Sequence, residues 1–394
     1  MRGTRASIEH SSPAFMIREQ PRYELLVGSQ SFWRRAKADL EAASCRILVQ
    51  ALTFEGDATG LTLAEVLKRS KAQDRRVLVD DFTRMVVNDS FVRSPRYLTD
   101  AAFRAEVRAT GEMFRALAEN GVGVRTTNPL RGNPLRYGLR NHKKLIVADD
   151  VAYIGGMNFS DHNFAWHDMM LRIEGREAAT FLAADFESTW HGGALLKRQS
   201  FGNLDLSCLD GRTNDVGFRP LFEAIVAAKW RITVVSPYLS FPFIDHLSAA
   251  ARRGLSVEVL TPLPNNKPLV QNYLLASCER AGLTVRLTPE MSHLKAMLLD
   301  EELLALGSSN FDFPSYYSME EFLALVRSPS LVASFEAEVL VPMRAGAVAA
   351  TPFRPRAYQV LVSRILMGLA GFGVKRLGRA SRGATVGGWG SGEV

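Results

Sequence analysis

Two stretches decide how this chain is read: Asn141-His142-Lys143-Lys144-Leu145-Ile146-Val147-Ala148-Asp149 and Ser292-His293-Leu294-Lys295-Ala296-Met297-Leu298-Leu299-Asp300. Both spell H-x-K-x4-D. Gly155-Gly156-Met157-Asn158 follows the first and Gly307-Ser308-Ser309-Asn310 the second, so the His-to-Asn distance is 16 residues in one copy and 17 in the other. On a strand, residues i and i+2 share a face. His142 and Lys144 therefore project together, as do His293 and Lys295, and the four apolar residues after each lysine run into a core. The small pairs are expected to let backbone approach a ligand, with Asn158 and Asn310 as phosphate-binding amides. Halves packed face to face would bring two His, two Lys and two Asn to one cationic, donor-rich point suited to a phosphate.

Outward from these motifs, an α/β pattern runs twice. Strands are expected at 46–52, 76–80, 122–126 and 144–148, and helices at 61–71, 113–119 and 177–190. The second copy has strands at 231–236, 256–261, 283–288 and 295–299, with helices at 244–253 and 269–281. Gly, Asn, Asp and Ser accumulate between Lys197 and Asn214, which marks a boundary. The expected units are 23–200, 201–350 and a tail, 351–394.

Two imidazoles around one phosphorus can divide the work. A neutral one attacks and forms a phosphohistidine. Its protonated partner gives a proton to the leaving alcohol and takes one back from the incoming alcohol or water. Lysines and asparagines stabilise the non-bridging oxygens. Each imidazole needs an acceptor on its other nitrogen to fix the tautomer. Asp168 follows His142 by 26 residues; Glu320 and Glu321 follow His293 by 27 and 28. Only one of the two glutamates can face the site, and Glu321 is the choice. Asp149 and Asp300 complete the catalytic set His142, Lys144, Asp149, His293, Lys295 and Asp300, although as bare residues they read as holders of strand ends. His162, His167, His191 and His246 fall outside the chemistry. Phe159, Phe164, Trp166, Phe311, Phe313, Tyr316 and Tyr317 would form an apolar mouth or a core. No His/Asp/Glu cluster with metal-ligand spacing competes with this reading, so neither metal nor cofactor is expected.

The 394 residues are 47% hydrophobic, enough for two domains and a sizeable core. Three scattered cysteines argue against a disulfide framework or a cysteine zinc site. The net charge is +7, and nearly all of it sits at the end. Arg354, Arg356, Arg364, Lys375, Arg376, Arg379 and Arg382 are opposed by Glu393 alone. A nearly neutral body argues against a nucleic-acid groove. Residues 361–374 read as an amphipathic stretch for an anionic bilayer surface, and the Gly-rich 383–392 as unstructured. No run of 18 or more apolar residues suggests a membrane span, and residues 1–20 lack the apolar core of a signal peptide. The cytoplasm is the expected compartment.

The paired motifs resemble the phospholipase D superfamily over roughly residues 23–343. Gly155-Gly156-Met157-Asn158-Phe159-Ser160, Gly307-Ser308-Ser309-Asn310-Phe311-Asp312, Ser236-Pro237-Tyr238 and Arg253-Gly254-Leu255-Ser256-Val257 bring the chain nearest the bacterial cardiolipin synthase branch. The resemblance implies two pseudo-twofold-related α/β/α domains with one active site at their interface. It implies a covalent phosphatidyl-histidine, no metal, and phospholipid substrates at the cytoplasmic face of the inner membrane. His142 is the favoured nucleophile. Two departures stand out: this chain shows none of the N-terminal membrane helices common in such synthases, and Pro314 stands where an arginine often follows the second motif. The implied activity is phosphatidyl transfer. The alternatives are a lipid hydrolase, a phosphodiesterase nuclease and a non-catalytic scaffold; two intact motifs count against the last. Oligomeric state is left open.

Overall fold

The computed structural model describes residues 20–130, 133–194, 196–380 and 386–388. The expectations for residues 1–19, for Arg382 and Glu393, and for most of 383–392 lie outside the described residues.

Two large mixed sheets share one topology. In the first, the order is Arg22–Val27, Met169–Glu174, Val151–Gly155, Leu145–Ala148, Arg46–Ala51, Asp74–Asp80, Gly123–Thr127. In the second it is Leu204–Asp210, Glu320–Val326, Leu303–Gly307, Ala296–Leu299, Arg231–Val235, Ser256–Pro262, Thr284–Thr288. Both begin with four antiparallel pairings and end with two parallel ones. The repeat seen around the motifs therefore extends to the whole of each half, and the α/β/α reading holds.

The motif strands show why their four central residues are all apolar. Leu145 and Val147 face an inner core shared by both halves, where Arg176–Trp190 and Pro329–Phe335 lie between the sheets; Ile146 and Ala148 face the outer helices Ser29–Ala42, Ala58–Arg69 and Ala101–Glu119. Ala296 and Leu298 likewise face inward, and Met297 and Leu299 outward. A strand covered on both faces has no polar side to alternate with.

The expected boundary does not fall in a linker. Lys197–Phe201 and Leu204–Asp210 form a hairpin in the second sheet, so position 200/201 lies inside a paired strand. The Gly, Asn and Asp that looked like a linker build its turns.

Asp149 and Asp300 sit at the strand ends away from the histidines, about 16 Å from the lysines at 3.3 Å per residue. Both adopt positive φ, 50° and 51°. Asp149 accepts from the N–H of Ser44, Cys45 and Arg46 at 2.8–2.9 Å; Asp300 accepts from Lys229, Trp230 and Arg231 at 2.7–3.1 Å. Burial pulls each carboxyl up, but the three donors outweigh it and hold both below the ordinary aspartate value. Their placement in the catalytic set is corrected: the motif ends in Asp because the strand must be tied to its neighbour, not because substrate needs an acid.

The helix Ala357–Ala380 packs Ser363, Met367 and Gly371 against the body, with the ring of Phe241 against Gly371. Its other side exposes Tyr358, Leu361, Val362, Ile365, Leu366, Leu369 and Phe372. By length and composition alone it could cross a membrane, contrary to the sequence expectation; Ser363, Arg364 and the glycines break the apolar run and hide the span from a simple run count. Val386–Gly388 then pairs with Gly123–Thr127 in the first sheet, within the stretch expected to be unstructured.

Removing one of the terminal aspartates should cost stability. Asp149→Ala and Asp300→Ala are each expected to lose about 2 kcal/mol, as charge-assisted hydrogen bonds to three amides go unmade, read from the urea midpoint.

Candidate active site

Each motif histidine is held by the opposite half. The His142 N–H donates to the Glu320 carbonyl at 2.9 Å, and the Glu320 N–H to the Arg140 carbonyl at 3.0 Å. In mirror fashion the His293 N–H donates to the His167 carbonyl at 2.8 Å, and the His167 N–H to the Met291 carbonyl at 3.1 Å. Two short parallel bridges, Asn141 with Glu320 and His167 with Ser292, thus stitch the halves together at the histidines.

The side chains cross as well. His142 Nδ1 lies 3.0 Å from Glu321 Oε1, and His293 Nδ1 lies 2.8 Å from Asp168 Oδ2. Sequence offsets had suggested that each acid follows its own histidine; the acids instead serve the other copy's. The pairing fixes the Nδ1–H tautomer and leaves each Nε2 lone pair free. Glu320 alternates to the other face, where it accepts from Asn141 Nδ2 at 3.0 Å and Asn128 Nδ2 at 3.3 Å. The choice between adjacent glutamates therefore follows from strand parity.

Lys144 donates to the His142 carbonyl at 2.7 Å, and Lys295 donates to the His293 carbonyl. The lysines and histidines are almost wholly buried. Asn158 and Asn310 are each 5% exposed. Asn158 lies within 3.4 Å of Thr53 N and Asn163 Oδ1, while Asn310 Oδ1 is buried without a partner among the described residues.

The small residues do a different job from the one expected. A Cβ on Gly156 would strike the Asp168 carboxylate, so the glycine makes room for the acid, not for a ligand. Ser308 at the equivalent place donates to Glu321, as does Ser315 at 2.7 Å. Of the expected apolar mouth, Phe159 and Phe311 are core. Trp166 does reach the site, its ring centroid 5.3 Å from that of His293. His167 contributes backbone only.

Burial dominates the electrostatics. It pushes His142 down to about 4, with Lys144 and Lys295 adding to the fall and Glu321 opposing it. His293 is likewise driven well below the ordinary histidine value, by burial and by both lysines. Desolvation brings Lys144 to about 7 and Lys295 to about 8. It lifts Asp168 to about 6, whereas His142, Lys144 and Ser308 overcome burial at Glu321 and keep it below the ordinary glutamate value. Both imidazoles are thus neutral in the free protein at pH 7.

Sequence spacing also hid an acidic group. Glu55, Asp57 and Glu106 bring carboxylate oxygens within 4.8 Å of one another. Burial first, then the neighbouring acids Asp57, Glu106 and Asp89, push Glu55 up to about 8 despite a bond from the Asn88 N–H. A protonated Glu55 relieves the repulsion.

The family model "Cardiolipin synthase, PLD-like domain" matches residues 37–190 and 221–340, well over half of the chain. The chain belongs to this family. Cardiolipin synthase A of Pseudomonas entomophila (strain L48) is 27% identical over 319 residues, 74% of this chain and 62% of that protein. Minor cardiolipin synthase ClsB of Bacillus subtilis (strain 168) is 29% identical over 203 residues, 46% of this chain and 50% of that one. The chain thus spans about half to six-tenths of the length of these relatives. Among solved structures, phosphatidylserine synthase of Haemophilus influenzae Rd KW20 covers 92% of this chain and 97% of its own, with a TM-score of 0.66 at 15% identity. Polyphosphate kinase from Porphyromonas gingivalis aligns over 91% of this chain and 55% of its own, with a TM-score of 0.54 at 12% identity. These two likenesses speak to the fold.

Two measurements check the site. Unfolded histidine titrates at about 6.5, so a folded-state value depressed to about 4 means that the unfolded chain binds more protons between them. Both imidazoles therefore withdraw stability as pH falls below about 6.5 towards their depressed values, about 4 for His142, and withdraw none above that window. The double variant His142→Gln/His293→Gln should lose less stability than wild type between pH 7 and 5, read from urea midpoints. Nitrogen NMR of the imidazoles should show Asp168→Ala releasing the tautomer of His293 while that of His142 stays fixed.

Proposed function

We propose that this chain is a phospholipid phosphatidyltransferase of the cardiolipin synthase kind, working through a phosphatidyl-histidine. The crossed pairs carry the reading: two neutral imidazoles with fixed tautomers, each presenting Nε2, and two lysines against their backbones. His142 is the nucleophile. Its partner Glu321 stays ionised and so raises electron density at Nε2, whereas burial lifts Asp168 towards protonation.

A phosphodiester entering the cleft carries a negative charge, which raises nearby imidazoles and ammoniums. The substrate therefore draws in the proton that His293 lacks in the free protein. His142 Nε2 attacks phosphorus; the P–N bond forms, the P–O bond to the leaving alcohol breaks, and His293 gives that oxygen its proton. In the second half, His293 takes a proton from the acceptor hydroxyl, the new P–O bond forms and the P–N bond breaks. Lys144, Lys295, Asn158 and Asn310 hold the non-bridging oxygens through their N–H donors. Asp168 and Glu321 orient the imidazoles. Water as acceptor gives the hydrolase variant of the same steps.

The donor and acceptor are membrane lipids in this reading, and the exposed apolar side of Ala357–Ala380 lies on the cytoplasmic face of an anionic bilayer. That helix carries Arg364, Lys375, Arg376 and Arg379 and no acid, the combination that binds anionic interfaces.

His142→Ala and His293→Ala should each lower turnover of phosphatidylglycerol by about 10²–10⁴-fold. A donor with a p-nitrophenol leaving group needs no acid, so it should restore the first step in His293→Ala and not in His142→Ala. The reverse pattern makes His293 the nucleophile. Phosphatidic acid without larger lipid makes the chain a hydrolase.

A further inference from the structure

The repeat is symmetric in its folding but unequal in its chemistry just outside the imidazoles. Arg46 and Arg231 occupy equivalent places, each donating its N–H to the motif aspartate. Seven residues on, the first half has Thr53 and the second has Tyr238. The Tyr238 ring meets the His293 ring edge-on at 6.0 Å, and Lys267 Nζ lies 4.3 Å from the centroid of the same tyrosine.

This lysine is held in place by its loop. The Lys267 N–H donates to Asn265 Oδ1 at 2.8 Å, and Asn265 Nδ2 donates to the Pro237 carbonyl at 2.8 Å. The Tyr238 hydroxyl donates to Asn266 Oδ1 at 2.5 Å, and Asn266 Nδ2 reaches across to Asp89 Oδ2 of the first half at 3.2 Å. The other cations near the reaction centre have partners or tasks of their own. Lys144 and Lys295 stand at the reacting phosphate, each with one donor on a histidine carbonyl, while Lys143 pairs with Asp185 at 2.7 Å and Arg140 with Asp80 at 2.6 Å. Among the described residues no carboxylate lies within 4.0 Å of Lys267, which keeps solvent access. Its charge lowers both His293 and Lys295.

We propose that Lys267, with Tyr238 and Asn266, forms the subsite for the phosphate of the acceptor lipid. The inference rests on the phosphatidyl-transfer reading and names one of its binding groups. Transfer between two phospholipids brings two phosphodiester anions to the cleft. One meets the imidazoles. The other belongs to the acceptor and sits a glycerol's length from the attacking hydroxyl, as Lys267 sits one aromatic ring beyond His293. Water and simple alcohols carry no second anion, so this contact selects a lipid acceptor over them.

The test uses the full chain on phosphatidylglycerol vesicles with added ethanol, and reads the ratio of cardiolipin to phosphatidylethanol. Losing one charge-assisted contact should lower that ratio about tenfold in Lys267→Gln, and Lys267→Arg should recover most of it. An unchanged ratio in Lys267→Gln overturns the inference, as does a parallel fall of both products. Wild type that makes phosphatidylethanol but no cardiolipin also overturns it and leaves phosphatidyl transfer standing. Neither product from wild type overturns the transferase reading itself.

Discussion

The structure depends on a crossed hydrogen bond made twice. A histidine of each half is oriented by a carboxylate of the other, and its backbone N–H is taken by the strand or loop that carries that carboxylate. Neither half alone can hold its own imidazole. Catalytic geometry and association of the halves are therefore one constraint, and the inner core shared by Arg176–Trp190 and Pro329–Phe335 supplies the apolar burial that enforces it. A shift between the sheets would break both imidazole–carboxylate pairs together.

Burying two histidines, two lysines and two acids in one place is costly unless each is paired. The protein meets this by keeping the imidazoles neutral, weakening the lysines' hold on their protons and tying Glu321 to Ser308 and Ser315. In the proposed reaction a phosphodiester adds negative charge beside the lysines and imidazoles, and the resulting rise in the imidazoles makes the acid that the transfer needs. Substrate binding and activation then become a single electrostatic event.

Much of this was legible in two nine-residue stretches, because H-x-K-x4-D is an extended lead-in followed by a short strand: alternation places His and Lys together just before Leu145 and Ala296, and burial on both faces demands the apolar run. Parity also separates Glu321 from Glu320. What spacing could not supply was contact across the halves. Asp168 and Glu321 stand at similar offsets after their own histidines, and only packing shows that they trade partners. Asp149 misleads for a related reason. A residue five positions after the lysine lies at the strand's far end, where it binds backbone amides, though the motif prints it beside the His and Lys. Gly156 misleads because a missing Cβ looks the same in sequence whether it admits a ligand or an aspartate.

A duplicated fold starts with two equal sites, yet transfer from one molecule to another needs a donor side and an acceptor side. The differences between the copies lie where that distinction has to be made. Asp168 against Gly156 is shorter and more easily protonated than Glu321 against two hydroxyls, so the two imidazoles differ in basicity. Thr53 against Tyr238 leaves one wall small and makes the other a platform that seats Lys267. The sheets and inner helices could remain symmetric because their task is to bring the histidines together. In the proposed transfer, the strand ends differ because each faces a different molecule.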